Sequence, residues 1–327
     1  MTTDSGNMTK VLAKFPYMLK EAMDYGKKIK FENVDNIVVV GMGGSGYNGD
    51  LLKVYLYDQP LNIHVVKNYT LPKFADNKTL VFAVSYSGNT EETVAAYRTA
   101  IKRCCKVVSI ASGGKLEELA KMNKNPHIAI PKGIQPRLST LYQFVGMLNV
   151  LVNSGLVMDQ TTIYNDTIAS LKQSSQRIEE NGKDLAKKLH GVTPIIYSSQ
   201  KLFCIAEKWK TDINENAKTH AFYNMFSEFN HNEICAYENP VGNFHIVIVS
   251  DQDDHPRIKK RIKIFKELVS KDYDTPVQEI AITGDNYLTR LVSSVWMGLY
   301  LAYYLALEYD IDPTPVKIIE SLKKDLK

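Results

Sequence analysis

The chain has 327 residues, 44% of them hydrophobic and 23% charged, with 40 Lys and Arg against 36 Asp and Glu for a formal net charge of +4. This is a globular composition, long enough for two domains of about 150 residues each, and its charge is too small to argue for nucleic acid as a partner. Four cysteines, Cys104, Cys105, Cys204 and Cys235, show no C-x-x-C spacing, which argues against structural zinc and a disulfide framework and makes the reduced thiols of a cytoplasmic protein the expectation.

Residues 9–30 place Val11, Leu12, Phe15, Met18, Leu19 and Met23 at helical spacing and predict an amphipathic helix. Strands and helices then alternate: strand 36–40, helix 47–57, strand 62–66, strand 79–84, helix 91–103, strand 106–110, helix 115–122, strand 127–130 and helix 138–154. Such alternation predicts a doubly wound parallel sheet flanked by helices, which binds ligands beyond the carboxyl ends of its strands. A long polar helix over about 160–189 follows Asn153-Ser154-Gly155 and suggests two domains, 1–155 and 156–327. The second half repeats the rhythm with strand 194–198, helix 200–217, strand 244–250, helix 256–271, strand 276–282 and helices 286–309 and 313–325. The longest apolar run, Val295 to Leu307, has 13 residues. It is too short to span a bilayer and reads as a helix buried on nearly all sides. The first residues carry no basic-then-apolar signal pattern, so no membrane partner is expected.

Two glycine loops carry the chemistry of the first half. Gly41-Met42-Gly43-Gly44-Ser45-Gly46 follows strand 36–40, and Ser85-Tyr86-Ser87-Gly88-Asn89-Thr90 follows strand 79–84. A helix N-terminus offers unpaired N–H groups and partial positive charge, so each loop is suited to an anion. Ser45, Ser85, Ser87 and Thr90 add uncharged donors. Gly41, Gly43 and Gly46 also satisfy the dinucleotide pattern, but that reading needs an acidic residue after the second strand, where Lys67-Asn68-Tyr69 stands instead. Neither loop ends in the Gly-Lys-Ser/Thr of a P-loop. A cradle for a phosphate ester is the reading that remains.

Candidate chemistry follows further along. Pro136-Arg137 opens the helix that ends the first half, so Arg137 would project from the rim that carries both loops and could stabilise an anionic intermediate. Helix 200–217 buries a stripe at Leu202, Ala206, Trp209 and Ile213, and Glu215 lies off that stripe near the carboxyl end. The negative pole of the helix disfavours a second negative charge there, which suits a carboxylate that takes up a proton. A lone helical glutamate is more often a solvated surface residue; the polar run Asn214-Glu215-Asn216-Ala217-Lys218 is what singles this one out. Sixteen residues on, Asn230-His231-Asn232-Glu233 supplies a second acid/base in His231. His231 and Glu233 form no metal-ligand spacing.

With these residues in order the chain resembles the bifunctional phosphoglucose/phosphomannose isomerase family, built from two sugar-isomerase (SIS) domains. The resemblance rests on Gly41–Gly46, Ser85–Thr90, Pro136-Arg137, Asn214–Lys218, Asn230-His231-Asn232 and the segment from Pro313 to Leu322-Lys323. It implies two SIS-type doubly wound α/β domains acting on hexose 6-phosphates, with the sugar phosphate on Gly44, Ser45, Ser85, Ser87 and Thr90. It implies Glu215 as the base that shuttles a proton between C2 and C1, Arg137 as the stabiliser of a cis-enediolate, and His231 and Lys323 as the groups that assist ring opening. It also implies a homodimer with His231 supplied across the interface, and no metal or redox cofactor. The threonine associated with acceptance of both C2 epimers falls at Val316, with Thr314 two residues earlier. Two other readings stand beside it: a non-catalytic sugar-phosphate-binding SIS protein, and a different SIS-domain sugar isomerase.

Overall fold

The computed structural model describes residues 4–273 and 275–326. The chain forms two compact units. The N-terminal unit comprises Lys14–Lys172 with Asn286–Leu288, and the C-terminal unit Met1–Ala13, Gln173–Asp285 and Thr289–Lys327.

The expected helix over 9–30 is broken into α1 (Met8–Ala13) and α2 (Phe15–Ala22), with turns from Met23 to Lys28. Pro16 sits in the first turn of α2, where its missing N–H costs nothing but where it cannot continue an earlier helix. α1 belongs to the C-terminal unit because Trp296 donates its indole N–H to the Leu12 carbonyl at 2.9 Å and the Thr9 and Tyr303 hydroxyls meet at 2.7 Å.

The N-terminal unit continues through β1 (Asn36–Val40), α3 (Gly44–Tyr55), β2 (Ile63–Val66), β3 (Thr79–Val84), α4 (Glu91–Lys102), β4 (Lys106–Ala111), α5 (Gly114–Met122), β5 (His127–Ala129), a 3-10 turn at Pro136–Leu138 and α6 (Thr140–Asn153). All strand pairs are parallel, in the order β2-β1-β3-β4-β5. β1 and β3 are adjacent, and the winding reverses between them. That reversal opens the crevice in which doubly wound sheets bind ligands. Both glycine loops leave the sheet at this point. β3 is buried along its whole length, as expected of a strand covered on both faces.

α7 (Thr161–Leu189) carries the division between the units, between Lys172 and Gln173, rather than the loop at residue 155 suggested by sequence. A continuous helix gives no sequence signal where it passes from one core to another.

The C-terminal unit contains β6 (Thr193–Ser199), α8 (Phe203–Asp212), β7 (Phe222–Phe226), β8 (Phe244–Ser250), α9 (Pro256–Asp272), β9 (Val277–Ala281), α10 (Tyr287–Glu308) and α11 (Lys317–Asp325). Its sheet is again parallel, in the order β7-β6-β8-β9, which repeats the first four positions of the N-terminal sheet. β7 was not expected from sequence. It is an edge strand whose first residues, Phe222 and Tyr223, are exposed, so the alternation that marks a half-buried strand is absent.

α10 spans 22 residues, longer than its 13-residue apolar run, and is long and apolar enough to cross a membrane by composition; 83% of its apolar window is nevertheless buried within the protein. Besides α1, it meets α8 in the C-terminal unit. Trp209 is fully buried and its indole N–H donates to the Ser294 carbonyl at 2.9 Å. Trp209→Ala should therefore cost about 3–5 kcal/mol in urea denaturation, the range for deleting a buried aromatic side chain. A loss below about 1 kcal/mol would mean that α8 and α10 do not depend on this contact.

Candidate active site

The cradle is made by two strand-to-helix turns of the N-terminal unit. After β1 the chain turns at Gly43, in the left-handed region at φ 53°, and enters α3. Gly41 and Gly46 cross so closely that a Cβ on Gly46 would lie 2.5 Å from the Gly41 carbonyl oxygen, so any side chain there would force the loop open. Gly44 backs onto the 3-10 turn, and a Cβ there would stand 3.1 Å from Arg137 Cα. The backbone of Arg137 is thereby brought against the start of α3, and its side chain is almost wholly buried.

The second turn interlocks with the first. The Tyr86 N–H donates to Ser45 Oγ at 3.1 Å. Ser85 Oγ accepts from the Gly88 N–H at 3.1 Å and shares a 2.8 Å hydrogen bond with Thr90 Oγ1. The Asn89 N–H reaches Ser87 Oγ at 3.2 Å. Thr90 occupies the N-cap of α4, yet its hydroxyl turns to Ser85 and caps nothing; Gly43, at the N-cap of α3, has no side chain to do so. Two helix N-termini thus meet at the sheet's crevice without side-chain caps, an arrangement suited to an anion. Ser45 and Ser85 are buried, Gly44 and Thr90 half-buried, and Ser87 exposed.

Glu215, His231 and Lys323 stand on three different elements of the C-terminal unit. α8 does not run on to residue 217 as an α-helix. From Ile213 to Ala217 it widens into a π-helical turn that ends at Lys218 in the left-handed region, φ 57°. Asn214 Nδ2 holds this turn by donating to the Thr219 carbonyl at 2.8 Å, and the Lys218 ammonium donates to the Glu215 carbonyl. Glu215 is half-buried within it. Such single turns add a residue to the helix and re-aim the side chains that follow. One turn earlier, Lys208 and Asp212 form an ion pair at 1% exposure each.

His231 ends a 3-10 turn, Glu228–His231, and is exposed. The segment is fixed from both sides. Phe229 stacks on Tyr197, with centroids 4.0 Å apart and planes 8° from parallel. The Tyr197 hydroxyl donates to Glu233 Oε1 at 2.6 Å and meets the Tyr237 hydroxyl at 2.8 Å, while Asn224 Nδ2 holds the other Glu233 oxygen. Burial, then the Tyr237 neighbour and the bond to Glu233, push the Tyr197 phenol well above its ordinary value. Lys323 lies on α11, which has no buried residue. Val316 immediately precedes α11, and the Thr314 N–H donates to Asp312 Oδ1 at 3.0 Å. Among the described residues, no cluster of three or more His, Cys, Asp or Glu is placed to hold a metal.

The bacterial phosphoglucose isomerase C-terminal SIS domain matches residues 178–326. A bifunctional phosphoglucose/phosphomannose isomerase of Caldicellulosiruptor bescii is 40% identical over 95% of this chain and 96% of its own. This chain belongs to the bifunctional phosphoglucose/phosphomannose isomerase family. A relative with a different name, the D-glucosamine-6-phosphate 4-epimerase of Sulfolobus acidocaldarius, is 36% identical over 68% of this chain and 70% of its own. Among solved structures, a putative phosphosugar isomerase from Clostridium difficile 630 superposes with a TM-score of 0.71 over 96% of this chain and 97% of its own, at 19% identity. That likeness concerns the fold. The sequence pointed to both glycine loops but not to Tyr197 as the residue that holds the His231 segment. Its hydroxyl is placed against Glu233 only by the tertiary packing of the 3-10 segment.

The raised Tyr197 phenol has a consequence for stability. The folded state keeps this proton where the unfolded chain releases it near pH 10, so the contribution is intact below pH 10 and lost as pH rises above it. Tyr197→Phe should make the alkaline decline in unfolding free energy shallower by about 1.4 kcal/mol per pH unit, one proton's worth. An unchanged slope would contradict the buried-phenol account.

Proposed function

We propose that this protein is an aldose–ketose isomerase that interconverts fructose 6-phosphate with glucose 6-phosphate and mannose 6-phosphate through a cis-enediolate. The observation that supports it most is the cradle itself: two uncapped helix N-termini with uncharged hydroxyls, backed by Arg137 against Gly44. Family membership at 40% identity across nearly the whole chain supports the reaction.

In this reading Gly44, Ser45, Ser85, Ser87 and Thr90 hold the phosphate. Binding energy from this remote group orients C1 and C2 for reaction. His231 and Lys323 exchange protons with the ring oxygen and the anomeric hydroxyl as the sugar opens. Glu215 then removes the C2 proton of the aldose and returns it to C1. The Arg137 guanidinium meets the negative charge that develops on the enediolate oxygens. The two aldoses differ only at C2, so one planar enediolate and one base serve both, and the chemistry calls for neither metal nor nicotinamide. Valine nearly matches threonine in volume, so Val316 leaves room for either epimer. The protein works as a homodimer in the cytoplasm, with His231 acting on the partner subunit's substrate.

Purified protein treated with chelator should form glucose 6-phosphate and mannose 6-phosphate from fructose 6-phosphate, with kcat/KM for the two aldoses within about tenfold, a difference of about 1.4 kcal/mol. Inversion at C4 of an amino sugar phosphate without these products would instead favour the 4-epimerase activity named for the Sulfolobus relative. Glu215→Gln should leave KM near wild type and lower kcat by about 100-fold or more, the scale of general-base loss; retained turnover would exclude Glu215 as the base.

The dimer reading has its own check. Mixing inactive Glu215→Gln with inactive His231→Ala protein should restore activity, because each hybrid contains one site with both residues intact. Demonstrated subunit exchange without recovery would show that each site is built from one chain.

A further inference from the structure

Behind the cradle lie two amides, Asn48 on α3 and Gln143 on α6, both wholly buried, to which the reaction above gives no task. Their hydrogen bonds have a direction. Asn48 Nδ2 donates to the Gly44 carbonyl at 2.9 Å and to Gln143 Oε1 at 2.5 Å. A backbone carbonyl only accepts, so Gly44 decides which end of Asn48 is the NH2. Asn48 in turn decides which end of Gln143 is the oxygen. The Gln143 NH2 is left facing Ser45, with Nε2 at 3.4 Å from Oγ. The Tyr86 N–H reaches the same oxygen at 3.1 Å.

A serine hydroxyl has two acceptor lone pairs and one proton. On Ser45 both lone pairs face donors, so the proton is the one group it can still offer. The neighbouring pair reaches the same result. Ser85 and Thr90 share a single hydrogen bond at 2.8 Å, which uses one of their two protons and leaves the other. The Gly88 N–H fills a further Ser85 lone pair at 3.1 Å.

We propose that Gln143, held by Asn48, is a positioning residue that fixes Ser45 as a hydrogen-bond donor. This polarity selects ligands that only accept: the ionised phosphate ester of a substrate, or inorganic phosphate. The inference rests on reading the two loops as a phosphate cradle and is independent of which sugar reaction follows. It also explains a buried polar chain where an apolar contact between α3 and α6 would pack as well. Each amide in it is costly to bury unless its orientation serves the next.

The test uses the full-length protein and inorganic phosphate as the probe, measured by calorimetry beside fructose 6-phosphate kinetics. Gln143→Glu replaces the donor facing Ser45 with an acceptor of the same shape. Phosphate Kd and KM should each rise about tenfold or more, with kcat within about threefold of wild type. In a Ser45→Ala background the same change should weaken phosphate by no more than about threefold, the part due to the added charge rather than the hydroxyl. Equal losses with and without the Ser45 hydroxyl, or a loss carried by kcat, would overturn the proposal. If Gln143→Glu does not fold, Gln143→Met keeps the site neutral. It should weaken phosphate about two- to fivefold in the wild-type background and not at all with Ser45→Ala; no weakening in the wild-type background would be equally fatal. Failure of the unmodified protein to bind phosphate would remove the cradle reading and this proposal together. Phosphate binding with the expected coupling but without isomerisation would remove only the reaction.

Discussion

The N-terminal unit is organised around two strand-to-helix turns whose opening amides have no side chain to receive them. α3 starts behind Gly43, and α4 starts behind Thr90, whose hydroxyl is directed to Ser85. The Ser45 and Gly46 amides of α3 turn back to the Met42 carbonyl, and neither helix end has a side-chain cap; the two ends stand side by side at the point where the sheet reverses its winding. The adjacency of β1 and β3 fixes their spacing, and the crossing of Gly41 with Gly46 brings the first turn close enough for Ser45 to accept from Tyr86. In the proposed function a phosphate ester would complete both helix ends at once. The close approach of Gly46 to the Gly41 carbonyl and of Gly44 to the Arg137 backbone leaves no room for a side chain at either position.

The C-terminal unit shows what the same topology does without this constraint. β8 occupies the place of β3, and the loop that follows it, from Asp251 to His255, is acidic. His255 Nδ1 accepts from the Arg257 N–H at 3.1 Å and caps α9 from within the chain. Asp251 and Asp253 hold the Arg290 guanidinium, at 3.1 Å for Asp251. Burial raises the Asp254 carboxyl above its usual range. A helix start already capped, beside carboxylates that grip an internal arginine, has nothing to offer a phosphate. The turn after β8 is thus closed by its own side chains, where the turns after β1 and β3 are not. Its distinctive groups lie elsewhere, in the π-helical turn at Glu215 and the pinned segment at His231.

Much of this was legible in the sequence. Central strands such as β1, β3 and β8 are continuous apolar runs bounded by turn residues, and they appear at the expected positions. The glycine-serine loops stand at the strand ends where the sequence placed them, and each leads into a helix. The features that were not legible share a cause. β7 is an edge strand with exposed aromatic residues and no alternation. The π-helical turn keeps helical composition and differs only in its hydrogen-bond register. Asn48 and Gln143 are polar residues in helices, which sequence places on solvated faces unless the fold supplies partners. The passage of α7 between units leaves no mark, because the helix itself is unbroken.

In the proposed reaction a carboxylate moves a proton between adjacent carbons of a sugar held by its phosphate. It is tested most directly by NMR of fructose 6-phosphate incubated with the protein in D2O. An enediolate with a single exchangeable base predicts deuterium at C2 of the glucose 6-phosphate and mannose 6-phosphate formed, and gradual labelling at C1 of the remaining ketose. Aldose products that stay unlabelled at C2 after repeated turnover would indicate hydride transfer and contradict the account, as would a stereochemical change confined to C4.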